Sequence, residues 1–176
     1  MKIEIEVLPG GSLPTKGTEG SACYDIYARD IEINPDTNVV TVLTGIKTKF
    51  PPEWELTIRP RSNLSSKRWA ILNSPGTVDS DYRGEIMVVF TPIPLVKKTS
   101  MGSVGSIETL PFPYKKGDRI AQVKIERVEP IEWVPTKIQL DSERKDGGFG
   151  STGGISKESK EKIKKSSQIK SRGNPS

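Results

Sequence analysis

The thirteen residues 73–85, "NSPGTVDSDYRGE", place three carboxylates, one arginine and two glycines directly before an apolar run, "IMVVF". Asp79 and Asp81 stand two apart, so on an extended chain they share a face. Two carboxylates beside a phosphate group supply a general base and a partner for a metal ion. A turn filled by Asp-Ser-Asp, with Arg83 paired to a neighbour, accounts for the same residues without chemistry.

Three other stretches carry comparable chemistry. "RPRSNLSSK", residues 59–67, combines three cations with three serines. Arg61 can grip a phosphate with two N–H groups, and Ser62, Ser65 and free backbone N–H groups at a helix start suit anions. An ordinary capped turn with solvated cations reads the stretch equally well. "GGFGSTGG", residues 147–154, lacks the Gly-Lys-Ser/Thr ending of a Walker A loop and follows no clear strand. A plain linker has no use for Phe149 isolated between glycines, whereas a lid that lays one ring over a flat base does. "KKGDRIAQ", residues 115–122, is a turn entering a strand, with Asp118 or Arg119 expected in a local ion pair.

The elements that must hold these residues are mostly strands. "KIEIEVLP" alternates with period two; "NVVTVLTGIKTKF", "WELTIRP", "GEIMVVFTPIPL" and "DRIAQVKIERVEPIEWV" are β-rich and bounded by Gly and Pro. Fourteen prolines and sixteen glycines interrupt nearly every stretch that might otherwise wind into a helix. The exception is 61–72, where Leu64, Lys67, Arg68 and Ile71 allow a short helix. The expected architecture is an all-β sandwich or jelly roll. Residues 93–113 interrupt the strand rhythm as an inserted hairpin or loop. The core thus spans 1–143, the glycine-rich segment 144–154, and a Lys/Ser-rich tail 155–176 of disordered composition.

Composition narrows the classes. The chain has 176 residues, 33% hydrophobic, and no run of 18 apolar residues, so no membrane-spanning helix is expected. The alternating start "MKIEIEVLPG" is not that of a signal peptide. With one cysteine, Cys23, and no histidine, an internal disulfide and a Cys/His zinc site are excluded, and an intracellular, cytoplasmic setting follows. The formal charge of +5 lies in the tail: seven Lys and Arg minus two Glu after Gly154 leave residues 1–154 neutral. A neutral body has no broad basic face for DNA, and any contact with nucleic acid would fall to the tail.

Taken together and in order, five segments resemble the motifs of the homotrimeric dUTP pyrophosphatase (dUTPase) family. These are "SACYDIYA" (21–28), "PRSNLSSK" (60–67), "NSPGTVDSDYRGE" (73–85), "GDRIAQ" (117–122) and "RKDGGFGSTG" (144–153). The resemblance implies a jelly-roll subunit, a trimer whose three active sites collect motifs from different chains, and Mg²⁺-assisted hydrolysis of dUTP to dUMP and pyrophosphate. It makes Asp79 the base that activates water. Asn73 would bind uracil, with backbone groups of Gly76 and Val78 completing its recognition. Tyr82 would pack under the deoxyribose and exclude a 2′-hydroxyl. Arg61, Ser62 and Gln122 would hold the phosphate chain, Asn63 would join the substrate-binding set, and Asp25 would reach the metal through water or serve the site's ion pairs. Arg144, Gly150, Ser151 and Thr152 would cap the γ-phosphate while Phe149 stacks on the base. Asp81, Arg83 and Glu85 are then structural.

Several positions depart from the family pattern. Cys23 and Asn63 stand where glycine is usual, and Lys67-Arg68-Trp69 replaces a commoner Lys-His-Gly. The 93–113 insertion and the basic tail have no counterpart in the minimal pattern. Some phage-encoded members carry an insertion in a similar region, which makes a phage or viral origin compatible. Two rivals remain at this stage: a dCTP deaminase-like relative, which would not need the Phe149 lid, and a dUTPase-fold protein with a regulatory protein partner at the insertion.

Overall fold

The computed structural model describes residues 2–98 and 104–143. Arg144, Phe149, Gly150, Ser151, Thr152, the turn of the 93–113 insertion and the 155–176 tail lie outside the described residues. The chain divides into two units, Met1–Ile131 and Glu132–Ser176.

The first unit is built of thirteen strands. The first four are Glu4–Val7 (β1), Thr15–Lys16 (β2), Tyr24–Tyr27 (β3) and Asp30–Ile33 (β4). Val40–Leu43 (β5), Ile46–Lys49 (β6) and Trp54–Pro60 (β7) follow, and then a 3-10 turn, Ser62–Ser66. Trp69–Ile71 (β8), Gly76–Val78 (β9) and Met87–Pro92 (β10) lead to the hairpin Leu95–Lys98 (β11) and Val104–Glu108 (β12). Arg119–Arg127 (β13) completes the set.

Two main sheets result. One has the order β4-β5-β10-β8 and the other β2-β3-β13-β7-β9, while β1-β6 and β11-β12 form separate antiparallel pairs. The alternation seen in the sequence decides which side chains face inward: Val40 and Val42 of β5 and Val88 and Phe90 of β10 are buried, with their neighbours less so. They join Ile26, Ile58, Ile120 and Ala121 of the second sheet in one apolar cluster. The expected all-β sandwich is therefore the observed one. Among the described residues no helix is long and apolar enough to cross a membrane.

Three local expectations need correction. Residues 61–72 do not form one helix: Arg68 takes a left-handed backbone (φ 54°) that no helix continues through. Beyond it, Trp69–Ile71 pairs antiparallel with Phe90–Pro92. The last strand stops at Arg127 instead of running on through "VEPIEWV". Its ladder partner β7 begins at Trp54, after Pro51 and Pro52, and Pro130 can donate no ladder hydrogen bond. The strands β3 and β4, in "SACYDIYARDIEI", are additional to those read from the sequence. In the second unit the described residues Glu132–Glu143 contain no strand or helix, and Trp133, Val134, Ile138 and Leu140 are exposed.

One ion pair fixes the approach to β10. Glu85 accepts two hydrogen bonds from Arg29, Nε at 3.0 Å and Nη2 at 2.9 Å, and a third from the Gly45 N–H at 2.7 Å. The structural role expected of Glu85 is thus explicit: it joins the end of β3, the β5–β6 turn and the start of β10. Burial by itself would raise the Glu85 carboxyl, but the Arg29 fork and the Gly45 N–H outweigh it and hold the group below its ordinary value of 4.5. A depressed carboxylate stabilises the fold fully above its unfolded value and loses that contribution as pH falls through its folded one. Glu85→Gln is expected to cost roughly 1–3 kcal/mol at pH 7. The gap between variant and wild type should close as pH is lowered below about 4.5; thermal melts across pH 3–7 measure it.

Candidate functional site

The chemistry-bearing residues of the first unit fall into two clusters. The first is organised by Asp25, which β3 places inside the protein at 4% exposure. A buried carboxylate must find donors, and Asp25 finds three. Its Oδ1 accepts from Arg61 Nε at 3.0 Å and from Gln122 Nε2 at 3.2 Å, and its Oδ2 accepts from Arg119 Nη1 at 3.3 Å. Arg61 also donates to the Arg119 carbonyl at 3.2 Å. The pairing Gln122↔Asp25 between β13 and β3 sets these contacts, and Arg61 enters from the end of β7.

Beside this network Arg61, Asn63, Lys67, Tyr114, Asp118 and Arg119 line an open cavity of about 270 Å³. With Pro113 the lining has seven residues, of which three carry positive charge against one carboxylate, Asp118, so the cavity suits an anion. Ser62, on the 3-10 turn, is exposed next to Arg61. The turn has no side-chain cap; the Leu64 N–H instead donates to the Arg61 carbonyl at 3.0 Å. Tyr114 is 9% exposed and its hydroxyl has no partner among the described residues. Burial pushes that hydroxyl above the ordinary phenol range, Arg61 opposing, so it stays protonated at neutral pH.

The second cluster lies around β9. Asn73, Gly76, Val78, Asp79 and Tyr82 line a cavity of about 440 Å³ together with Ile58, Leu72 and Met87. Asn73 is locked against β10: its Oδ1 accepts from the Val89 N–H at 3.0 Å and its Nδ2 donates to the Met87 carbonyl at 3.3 Å. Those backbone partners fix which end of the amide is oxygen, and leave one lone pair and one N–H for a ligand. A Cβ at Gly76 would collide with the Asn73 carbonyl oxygen, so the chain folds back here only with glycine.

Tyr82 donates its hydroxyl to the Glu85 carbonyl at 3.1 Å and lies so close over Gly84 that a Cβ there would meet its ring oxygen. The ring is a fixed wall. Arg83 donates from Nη1 to the Ser80 and Tyr82 carbonyls at 2.7 and 2.9 Å, holding the turn as expected of a structural residue. Asp79 closes β9 at the exposed rim of the cavity.

The two cavities share no lining residue: the base-sized pocket with Asp79 and the cationic depression with Arg61 are separate features of one chain. The structure brings Asp25, Arg61 and Gln122 together in one cluster and Asn73, Gly76, Val78, Asp79 and Tyr82 in another. Arg119, Lys67 and Tyr114 were not among the candidates. Of the two residues expected in a local ion pair, Asp118 stays within its turn, accepting from the Lys115 N–H at 2.9 Å, whereas Arg119 pairs with Asp25, 94 positions away.

Among known families, the model described as dUTPase matches residues 10–93. The deoxyuridine 5'-triphosphate nucleotidohydrolase of Hydrogenobaculum sp. (strain Y04AAS1) is 40% identical over 157 residues, covering 87% of this chain and 99% of that protein. The chain belongs to the dUTPase family. A solved dUTPase variant of Staphylococcus bacteriophage 80alpha, described with dUpNHpp, superposes with a TM-score of 0.67 at 20% identity. That match covers 87% of this chain and 99% of the phage chain. A dUTPase variant from phage phi11 of S. aureus, whose structure is described as coordinating a structural Mg(II) ion, gives a TM-score of 0.57 at 18% identity. It covers 81% of this chain and 98% of that one, and both solved structures share the fold seen here.

In this dUTPase-family chain one buried carboxylate, Asp25, pairs with two arginines. Asp25→Asn is expected to cost about 2–4 kcal/mol, chiefly because the largely buried Arg61 loses its counter-charge, the Arg119 side chain being half exposed. Urea denaturation of variant and wild type measures the difference.

Proposed function

We propose that this protein hydrolyses dUTP to dUMP and pyrophosphate, limiting uracil in DNA and supplying dUMP. The observation that carries the proposal is the cavity bounded by Asn73, Gly76, Val78 and Tyr82 with a carboxylate, Asp79, on its rim, in a chain of the dUTPase family. Its volume and mixed lining suit a flat base and a sugar. The free lone pair and N–H of Asn73, with the backbone of Gly76–Val78, read uracil. The Tyr82 wall leaves no room for a 2′-hydroxyl, which is specificity by exclusion.

Asp79 accepts the proton of the attacking water, and the hydroxyl oxygen so generated bonds to the α-phosphorus. The bond from that phosphorus to the bridging oxygen breaks, and pyrophosphate leaves. An exposed carboxylate serves as base at neutral pH when it holds the water in line. Arg61, Ser62, Asn63 and Gln122 hold the phosphate chain and balance its charge. Arg144, Phe149, Gly150, Ser151 and Thr152 complete the enclosure as a lid.

The donor set fits magnesium of a particular kind. No cluster of three or more His, Cys, Asp or Glu exists among the described residues, and Asp25 is already engaged by three donors. Such a chain suits an ion held mainly by substrate oxygens and water, with Asp25 reaching it through water. When bound, Mg²⁺ supplies charge neutralisation for the triphosphate.

The family resemblance supports a homotrimer in which the complete site is assembled between copies, and two cavities of one chain that share no lining residue are compatible with that reading. The 1–143 core, the 144–154 lid and the 155–176 tail act as separate functional regions within each copy, in a cytoplasmic setting.

Asp79→Asn is expected to abolish turnover, by at least ~10³-fold, while dUTP still binds. Pyrophosphate release from dUTP, dTTP, UTP and dCTP, with and without Mg²⁺, together with ammonia release from dCTP, tests the reaction; near-normal turnover by the variant overturns it. Subunit sharing has its own test. Refolding Asp79→Asn and Arg61→Ala chains together should restore activity at about a quarter of the sites by random assortment, and no recovery would place both residues in one chain's site.

A further inference from the structure

Arg68, Trp69 and the 93–113 insertion are the features that the reaction does not use. The structure joins them. The Arg68 carbonyl accepts from the Ile93 N–H at 2.8 Å, and its guanidinium Nη2 donates to the Pro94 carbonyl at 3.0 Å. The Trp69 indole N–H donates to the Leu110 carbonyl at 3.2 Å, and its ring meets Phe112 edge-on, centroids 5.1 Å apart. Ile93 and Pro94 are the limb entering the β11–β12 hairpin, and Leu110 and Phe112 the limb leaving it. Two adjacent residues therefore hold both limbs of the insertion.

The same two residues continue directly from the phosphate-holding turn. Lys67, next to Arg68, donates its backbone N–H to Leu64 at 3.0 Å, closing the 3-10 turn that begins one residue after Arg61. The Lys67 ammonium lies 5.1 Å from the centre of the Tyr114 ring, and Tyr114 packs on Phe112 at 5.6 Å. Thus the limb leaving the hairpin also reaches back to the anion cavity through Phe112 and Tyr114. The Ser65 and Ser66 hydroxyls donate to the Ser62 and Asn63 carbonyls at 2.8 and 3.1 Å and hold the turn's shape, while its placement depends on the residues that follow it directly, Arg68 and Trp69.

Arg68 is held at some cost. It is a non-glycine residue at φ 54°, and its Nε is buried without a partner among the described residues. A residue kept in this state is over-determined by its surroundings, and those surroundings are the insertion's limbs.

We infer that the 93–113 insertion is a positioning element for phosphate binding, acting on the Arg61–Lys67 turn through Arg68 and Trp69. Neither residue touches the substrate; both set where Arg61, Asn63 and Lys67 stand. The inference rests on the reading that this turn holds the phosphate chain of dUTP.

The test separates phosphate contacts from base contacts. Arg68→Gly keeps the left-handed backbone and the bond to Ile93 but removes the guanidinium from Pro94. Trp69→Phe keeps a ring against Phe112 but removes the N–H to Leu110. Each is expected to raise KM for dUTP roughly 3- to 10-fold with kcat within about twofold. Inhibition by deoxyuridine, which has no phosphate, should stay within about twofold of wild type, and Arg68→Lys should recover part of the loss. The inference is overturned if both variants, folded by circular dichroism, keep a wild-type KM, or if deoxyuridine binding weakens as much as KM. Should Arg68→Gly fail to fold, Trp69→Phe decides alone. Arg61→Ala serves as the control for the underlying reading: a wild-type KM there refutes the phosphate role of the turn itself, whereas failure of the clamp alone leaves Arg61→Ala impaired.

Discussion

The buried carboxylate of Asp25 is the constraint around which one end of the second sheet is arranged. A charge at that depth is tolerated only when donors surround it. The three donors come from two places far apart in sequence: Arg61 after β7, and Arg119 and Gln122 on β13. Meeting that demand pulls β3, β7 and β13 into register at one end and leaves the arginines facing an open cavity. The interaction that satisfies the interior therefore also presents cations to the exterior. Positive charge is kept in place without collapsing onto the surface.

The segment 73–85 follows a similar economy with different chemistry. Glu85 is spent on Arg29 and Gly45, and Arg83 on the carbonyls of its own turn. Tyr82 is held by the Glu85 carbonyl and by the absence of a side chain at Gly84. These contacts fix the outline of the cavity and leave Asp79 on its rim. A charged stretch at the mouth of a strand thus has two purposes. Most of its polar groups build the pocket, and one, Asp79, stays exposed on its rim.

The 93–113 segment is tied to the core at its stem. Its limbs meet the core at Arg68, Trp69 and the aromatic group of Phe90, Phe112 and Tyr114. A hairpin of two strands has little stability of its own. Packing its stem on a cluster that also lines the anion-suited cavity gives it a fixed base, and links its position to that of the Ser62–Ser66 turn.

The sequence by itself determined the strand-rich class, the order of the motifs and the types of group that each site requires. It could do so because alternation and turn residues are local properties, and because the motif segments are contiguous. Its errors were also local in origin. A helix across 61–72 is a sound reading of side-chain spacing, and only pairing of Trp69–Ile71 with β10 overrides it. Arg119 reads as a turn residue until β3 brings Asp25 beside it. Tertiary structure alone decided that Asp25 is a hub for two arginines, that Asn73 is locked on β10, and that the base pocket and the cationic cluster line separate cavities. Each depends on register between strands distant along the chain, and a linear sequence carries no measure of that register.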